Sequence, residues 1–328
     1  QLKEPDAYTY TLWGDCGFHL YPTYAAKLQQ FFSTRTNIHP DIRFCLEDLK
    51  RRQFIYNGQA DSLQQFLTSH GYIRQWELVG PFDYNDGYGF YNDEQTRSHS
   101  DRTYEFHGRF NAPLNWFPMM PGVDAMGISL SDYIETGRSG ASRNFAQTFI
   151  VSDQEQDADL SVVCGSDLRC WLNDQLLYEN RLNIENITYL PSHIRLHLHK
   201  GCNRLLLEMG KQKNYSYNLS ACLRGLHGDV LPGVQAQLTQ RTYTHDQGGL
   251  PPVIDPEVIS FNVGYFTSYL QQHPGDILEQ LLRIEELNGN GDKTKTLKVL
   301  MPLYEKYPDS YYLSNLYYNN KPNINYST

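Results

Sequence analysis

The sequence contains no apolar run approaching the ~18 residues that a membrane-crossing helix requires. A membrane span is therefore not expected. Positive charge is also scarce, with 28 Lys and Arg against 37 Asp and Glu and a net charge of -9. That balance argues against a nucleic-acid backbone or an anionic membrane surface as partner. None of the six cysteines forms a CxxC pair, which disfavours zinc fingers and thioredoxin-like redox sites. No Ser or Cys nucleophile has His and Asp segments to complete it, so the expectation is a non-enzyme. The chain opens at Gln1 without a charged and apolar leader, and reads as processed or as part of a longer protein.

What is present suffices for folded cores. The 328 residues are too many for one ordinary core and imply two or three domains. Hydrophobic residues make up 40% and charged residues 20%, a globular rather than disordered balance. The 25 tyrosines suit half-buried strands, helix packing, and sugar or protein contact surfaces.

Residues 1–21 are aromatic and turn-rich without a helical period, and read as an irregular lead-in. Over 22–71 three short helices are predicted: Tyr24, Leu28 and Phe31, then Ile42, Cys45 and Leu49, then Leu63, Phe66 and Leu67 fall at helical spacing. Helical signals stop at Trp76. Short alternating runs separated by turns then continue through 72–230 and predict an antiparallel two-sheet sandwich. Within it, Asp159 to Asn180 reads as three consecutive antiparallel strands, the last two joined by Asn173-Asp174. Residues 231–259, with Pro232, Gly248-Gly249, Pro251-Pro252 and Pro256, read as a linker. The remainder, 260–328, turns helical again. Pro274 and Pro308 close helices 34 residues apart, a tetratricopeptide-like period, and Phe32 and Phe66 repeat that spacing.

Four stretches carry a family resemblance: Trp76 to Phe82 followed by Glu94, Asp167 to Tyr178 with its Trp-Leu-Asn-Asp turn, Lys200 to Glu208, and Leu223 to Gly228. Together they resemble the galactose-binding-like jelly-roll modules of large bacterial envelope and secreted proteins, which sit beside helical repeats. The resemblance covers about half of the chain. It implies a multidomain α and β protein, a central jelly roll flanked by α-helical hairpins. It also implies an extracytoplasmic, bacterial setting.

Candidate chemistry is thin. Asp83, Asn85, Asp86 and Glu94 lie in a Gly-rich loop whose oxygens suit calcium, or simply a solvated connection. Tyr84, Tyr88, Tyr91, Trp116 and Phe117 suit a stacking platform for sugar rings, or packing at the sandwich end. His197 and His199 alternate on a strand, the spacing of a two-ligand metal site or of an exposed polar face. Cys170-Trp171 looks like a papain- or transglutaminase-type nucleophile, but it lies mid-strand where that nucleophile opens a helix. Three disulfides are conceivable, Cys16-Cys45, Cys164-Cys170 and Cys202-Cys222, as are buried thiols throughout. The expected function is a non-catalytic extracytoplasmic scaffold that contacts other protein chains or copies of itself. The alternative is a carbohydrate-binding accessory module of a larger secreted enzyme.

Overall fold

The computed structural model describes residues 22–33, 38, 40–84, 95–120, 128–134, 142–164, 167–180, 191–211, 218–246, 261–289 and 293–321. The chain divides into two compact units, residues 44–254 and residues 1–43 with 255–328. It is an α and β protein with an antiparallel sandwich flanked in sequence by helices.

Three helices come first: α1 (Pro22–Phe32), α2 (Pro40–Tyr56) and α3 (Ala60–Ser69). The helical spacing of Leu63 and Leu67 is what places both on the buried side of α3. Glu47, midway along α2, accepts from Tyr72 Oη at 2.9 Å and Arg224 Nη2 at 2.7 Å. Tyr72 itself bridges Cys222, so α2 and α3 are tied to the sandwich edge by polar contacts as well as by a small apolar cluster.

The larger sheet runs β4 (Phe117–Pro118), β1 (Glu77–Phe82), β6 (Ser142–Ser152), β11 (Gly201–Lys211), β8 (Asp167–Leu172), β9 (Gln175–Asn180), with β13 (Val234–Gln237) beside the far half of β6. The smaller sheet runs β10 (Ser192–Leu198), β7 (Gln156–Val163), β12 (Asn218–Arg224), β5 (Ile128–Ser129). Strands β2 (Phe106–His107) and β3 (Pro113–Leu114) form a separate hairpin outside both sheets. Period-two alternation sends Leu160, Val162, Leu168, Cys170, Leu172, Leu205 and Leu207 inward, where both sheets share one core with Trp76 at its edge. Trp76 is wholly buried and its Nε1 donates to the Ile73 carbonyl at 3.1 Å.

One expectation within the sandwich is corrected. β7 does not pair with β8; it pairs with β10 and β12 in the opposite sheet, and only β8 and β9 form the expected hairpin. Alternation says which face a side chain occupies and nothing about which strand lies alongside.

The larger sheet is buried on both faces. Its outer face carries Val79, Phe82, Phe145, Trp171 and Leu206, and these are covered by Phe106 and Trp116 from residues 95–118. That explains why almost every residue of β6 is buried, where a half-exposed strand such as β10 alternates. Gly80 sits at φ +152°, and a Cβ there would lie 2.2 Å from Asn144 Oδ1. Any other residue there would be strained at that φ and would have to displace the Asn144 side chain of β6.

The second unit contains α4 (Phe261–Gln272), α5 (Ile277–Gly289), α6 (Lys293–Lys306) and α7 (Tyr311–Asn320), each in contact with the next. Ile284, Leu300, Leu303, Leu313 and Leu316 form the core shared by α5, α6 and α7. Ser310 caps α7 by accepting from the Leu313 N–H at 3.4 Å. The segment 260–328, expected to be helical, is helical throughout its described residues apart from short turns.

Candidate functional site

The motifs that carry the resemblance grip one another. Asn173 and Asp174 form the β8–β9 turn at φ +50° and +72°, the left-handed pair a two-residue hairpin requires. Asn173 exchanges main-chain and side-chain bonds with Arg204: its N–H donates to the Arg204 carbonyl and its Oδ1 accepts from the Arg204 N–H, both at 2.9 Å. Asn203 accepts from Asn173 Nδ2 at 3.0 Å and from the His199 N–H at 2.9 Å, and its own amide donates to the His199 carbonyl at 2.8 Å. These residues are buried, and every bond they make is internal. They specify how the larger sheet turns and are not arranged around a ligand.

Arg204 continues inward as a buried guanidinium. Its Nε donates to Gln147 Oε1 at 2.9 Å, and its two Nη atoms donate to the carbonyls of Arg97 and Thr96 at 2.6 Å each. Asp174 Oδ1 lies 3.5 Å from Nη1 and also accepts from Tyr243 Oη at 3.0 Å. Burial raises the Tyr243 phenol above its usual value, against the lowering pull of the Arg204 guanidinium. His245 Nδ1 reaches Asp174, and His199 Nε2 lies 2.9 Å from Asp246 Oδ1. Beside this network Glu77, with no exposed side chain, accepts from Gln147 Nε2 at 2.8 Å and from Arg102 and Arg241. The network pins residues 95–103 and 241–246 onto the sheet.

The predicted linker is therefore corrected at its start. Val234–Gln237 is strand β13, and Arg241, Tyr243, His245 and Asp246 are bonded into the sandwich. Proline and glycine content reads the same for a free tether and for a segment held by distant side chains. The available signal was the alternation of Arg241, Tyr243 and His245, which places all three on one side of an extended chain.

Of the predicted ligand residues, Tyr84 and Trp116 are corrected. Both are almost fully buried, Tyr84 Oη donating to Asp167 and Trp116 Nε1 to the His99 carbonyl at 2.9 Å. Aromatic residues next to turns pack inward here because the outer face of the larger sheet needs cover. Phe117 is partly buried against the main core. Tyr88, Tyr91, Asn85, Asp86 and Glu94 lie outside the described residues; Asp83 is exposed and sits 3.6 Å from Arg109 Nε. His197 pairs with Asp157 at 2.8 Å and His199 with Asp246, each imidazole on its own carboxylate. Among the described residues no group of three or more His, Cys, Asp or Glu could hold a metal.

The disulfide expectations are corrected too. Cys45, Cys164, Cys170, Cys202 and Cys222 are buried and in no disulfide, and Cys16 lies outside the described residues. Cys164 and Cys170 belong to chain segments in opposite sheets, as do Cys202 and Cys222, so neither pair meets across a hairpin. Burial pushes the Cys202 thiol up to about 11 and Cys222 up to about 12, and raises Cys170 beyond them. Cys170 is wholly buried in the main core and is no nucleophile at neutral pH.

Two of the exposed features bear on function. On α7, Tyr311 and Tyr318 are 86% and 66% exposed and lie seven residues apart on one face, with Tyr312 beside them. The helix carries no charged residue at all. At the tip of the β2–β3 hairpin, Phe110 is 89% exposed with φ +59°, and the Arg109 guanidinium lies 5.2 Å from its ring centre. Asp83 completes that group through Arg109.

No protein-family model and no curated protein matches the sequence. Parts of solved structures do. A family 35 carbohydrate-binding module from an environmental isolate is 12% identical over 32% of this chain and 76% of its own, with a TM-score of 0.23. Beta-glucosidase from Kluyveromyces marxianus is 17% identical over 26% of this chain and 11% of its own, at 0.22. Ruminococcus gnavus beta-glucuronidase is 10% identical over 45% of this chain and 27% of its own, at 0.29. This chain thus spans about a tenth of the first glycosidase and about a quarter of the second. Likeness at these scores carries no functional argument. Among the described residues no helix is long and apolar enough to cross a membrane.

Proposed function

We propose that the protein is a non-catalytic scaffold module that contacts another protein chain, or a copy of itself, through its C-terminal helical unit. The observation that carries this reading is the uncharged tyrosine face of α7. Depletion of charge with enrichment of tyrosine distinguishes the centre of a protein interface from ordinary surface. The helical-repeat reading supports it, since stacked helical hairpins present such faces to their neighbours. The extracytoplasmic setting rests on the family resemblance alone, because the five described cysteines form no disulfide.

Light scattering across a concentration series tests this. The expected result is a mass that is a multiple of 38.0 kDa, returned to the monomer by the double substitution Tyr311→Glu with Tyr318→Glu at unchanged helical content. A monomer at every concentration, together with no photo-crosslink from a benzophenone placed at position 311 in source cells, sinks the proposal.

A second reading, glycan binding, is supported by a different place. Phe110 offers an open ring beside Arg109 and Asp83, the combination on which a pyranose face stacks while its hydroxyls find charged partners. An aromatic residue held at positive φ is strained, and such strain gathers at functional positions. On a glycan array the expected hits should vanish for Phe110→Ala. Hits that survive the substitution, or a blank array, remove this reading.

A further inference from the structure

A cavity of about 260 Å³ opens beside the start of β1, walled by Ile73, Leu231 and Val234 and rimmed by Arg74, Gln75 and Gln235. All its lining residues belong to the sandwich unit. Arg74 is its one charged lining residue, so a protein of net charge -9 here presents a local cation with no carboxylate opposite. Of the carboxylates near its lining segments, Glu47 is taken by Tyr72 and Arg224, and Asp153 and Asp229 lie against Gly233 and Gly225. Among the described residues nothing pairs with the Arg74 side chain, and the main-chain N–H groups of Arg74 and Gln75 donate to no protein atom. The amides of Gln75 and Gln235 are likewise unspent. Arg74, two neutral amide side chains and an apolar wall therefore line one hollow.

We propose that this cavity binds a small carboxylate that also carries an amide and a short aliphatic body, namely an N-acylated amino acid or the C-terminus of a peptide. The carboxylate lies against the Arg74 guanidinium and the adjacent N–H groups, a charge-assisted arrangement. The amide exchanges hydrogen bonds with Gln75 or Gln235, and the aliphatic body meets Ile73, Leu231 and Val234. The volume is below the roughly 300–1,000 Å³ of drug-sized pockets, which confines the occupant to this size class. The site is separate from the α7 face and from the Phe110 tip, so its fate and theirs are decided independently.

Calorimetric titration of the full chain with N-acetyl-L-leucine tests it, with N-acetyl-L-leucinamide as the uncharged match and a hexapeptide ending in leucine as the second source. Saturable binding of the acid is expected, with the amide at least about tenfold weaker, the ratio that losing one charge-assisted bond produces. Arg74→Ala should weaken binding by a similar factor at unchanged melting temperature, because Arg74 supports no other residue, and Arg74→Lys should fall between. A hexapeptide that binds more tightly than the free acid identifies a C-terminus as the ligand; the reverse identifies a free small molecule. The proposal is overturned if neither probe saturates, if acid and amide bind alike, or if Arg74→Ala binds as well as the parent.

Discussion

Glu77→Ala is expected to destabilise the sandwich unit by about 3–5 kcal/mol, the cost of removing one partner from a buried charge cluster. The Glu77 carboxylate is fully buried and receives Arg102, Arg241 and Gln147. Arg102 is nearly half exposed and can return to water, so its share is small. Gln147 and Arg241 cannot do so as easily: Gln147 is buried and Arg241 is mostly covered, lying over the Phe149 ring. The loss should appear as a lower urea midpoint at unchanged slope. Glu77→Gln keeps the shape and one acceptor and should cost less. A Glu77→Ala midpoint indistinguishable from the parent rules out this account of the cluster.

Arg204→Ala is expected to cost a comparable amount, about 3–5 kcal/mol. It strands the carbonyls of Thr96 and Arg97, the Gln147 Oε1 and the Asp174 carboxylate, all of which the guanidinium now serves. The planar fork matters as well as the charge, since one ammonium cannot reach acceptors on opposite sides of the group. Arg204→Lys should therefore recover little of the loss. In a double-mutant cycle with Asp174→Ala the two changes should couple by about 0.5–3 kcal/mol, because they share one network. Full recovery by lysine, or strict additivity with Asp174→Ala, contradicts the network.

Local information was legible in the chain from the outset. Helical spacing located the three helices of 22–71 and marked 260–328 as helical, since the period of apolar residues is imposed by which side of each helix is buried. The alternation in β7, β8 and β11 likewise marked strands and their inward faces. The Asn173-Asp174 turn was readable because only a few residue types accept left-handed backbone geometry.

What the sequence could not decide was partnership across distance. β7 crosses to the opposite sheet because core-facing side chains are satisfied equally by either sheet, and the choice depends on the whole packing. Cys164 and Cys170 are consequently separated, although only five residues lie between them in the chain. Tyr84 and Trp116, expected at a surface, are buried because residues 95–118 fold over a sheet face that would otherwise expose Val79, Phe82 and Leu206. Arg241 and Tyr243 are held by Glu77 and Asp174, more than sixty residues earlier in the chain. The vacant guanidinium of Arg74 emerged the same way. By itself the sequence determined the periods, the turns and the order of elements, because these follow from neighbours along the chain. Tertiary structure alone decided which polar groups are spent on the fold and which are left for a ligand, because hydrogen-bond partners and burial are set by residues that meet only when the chain is folded.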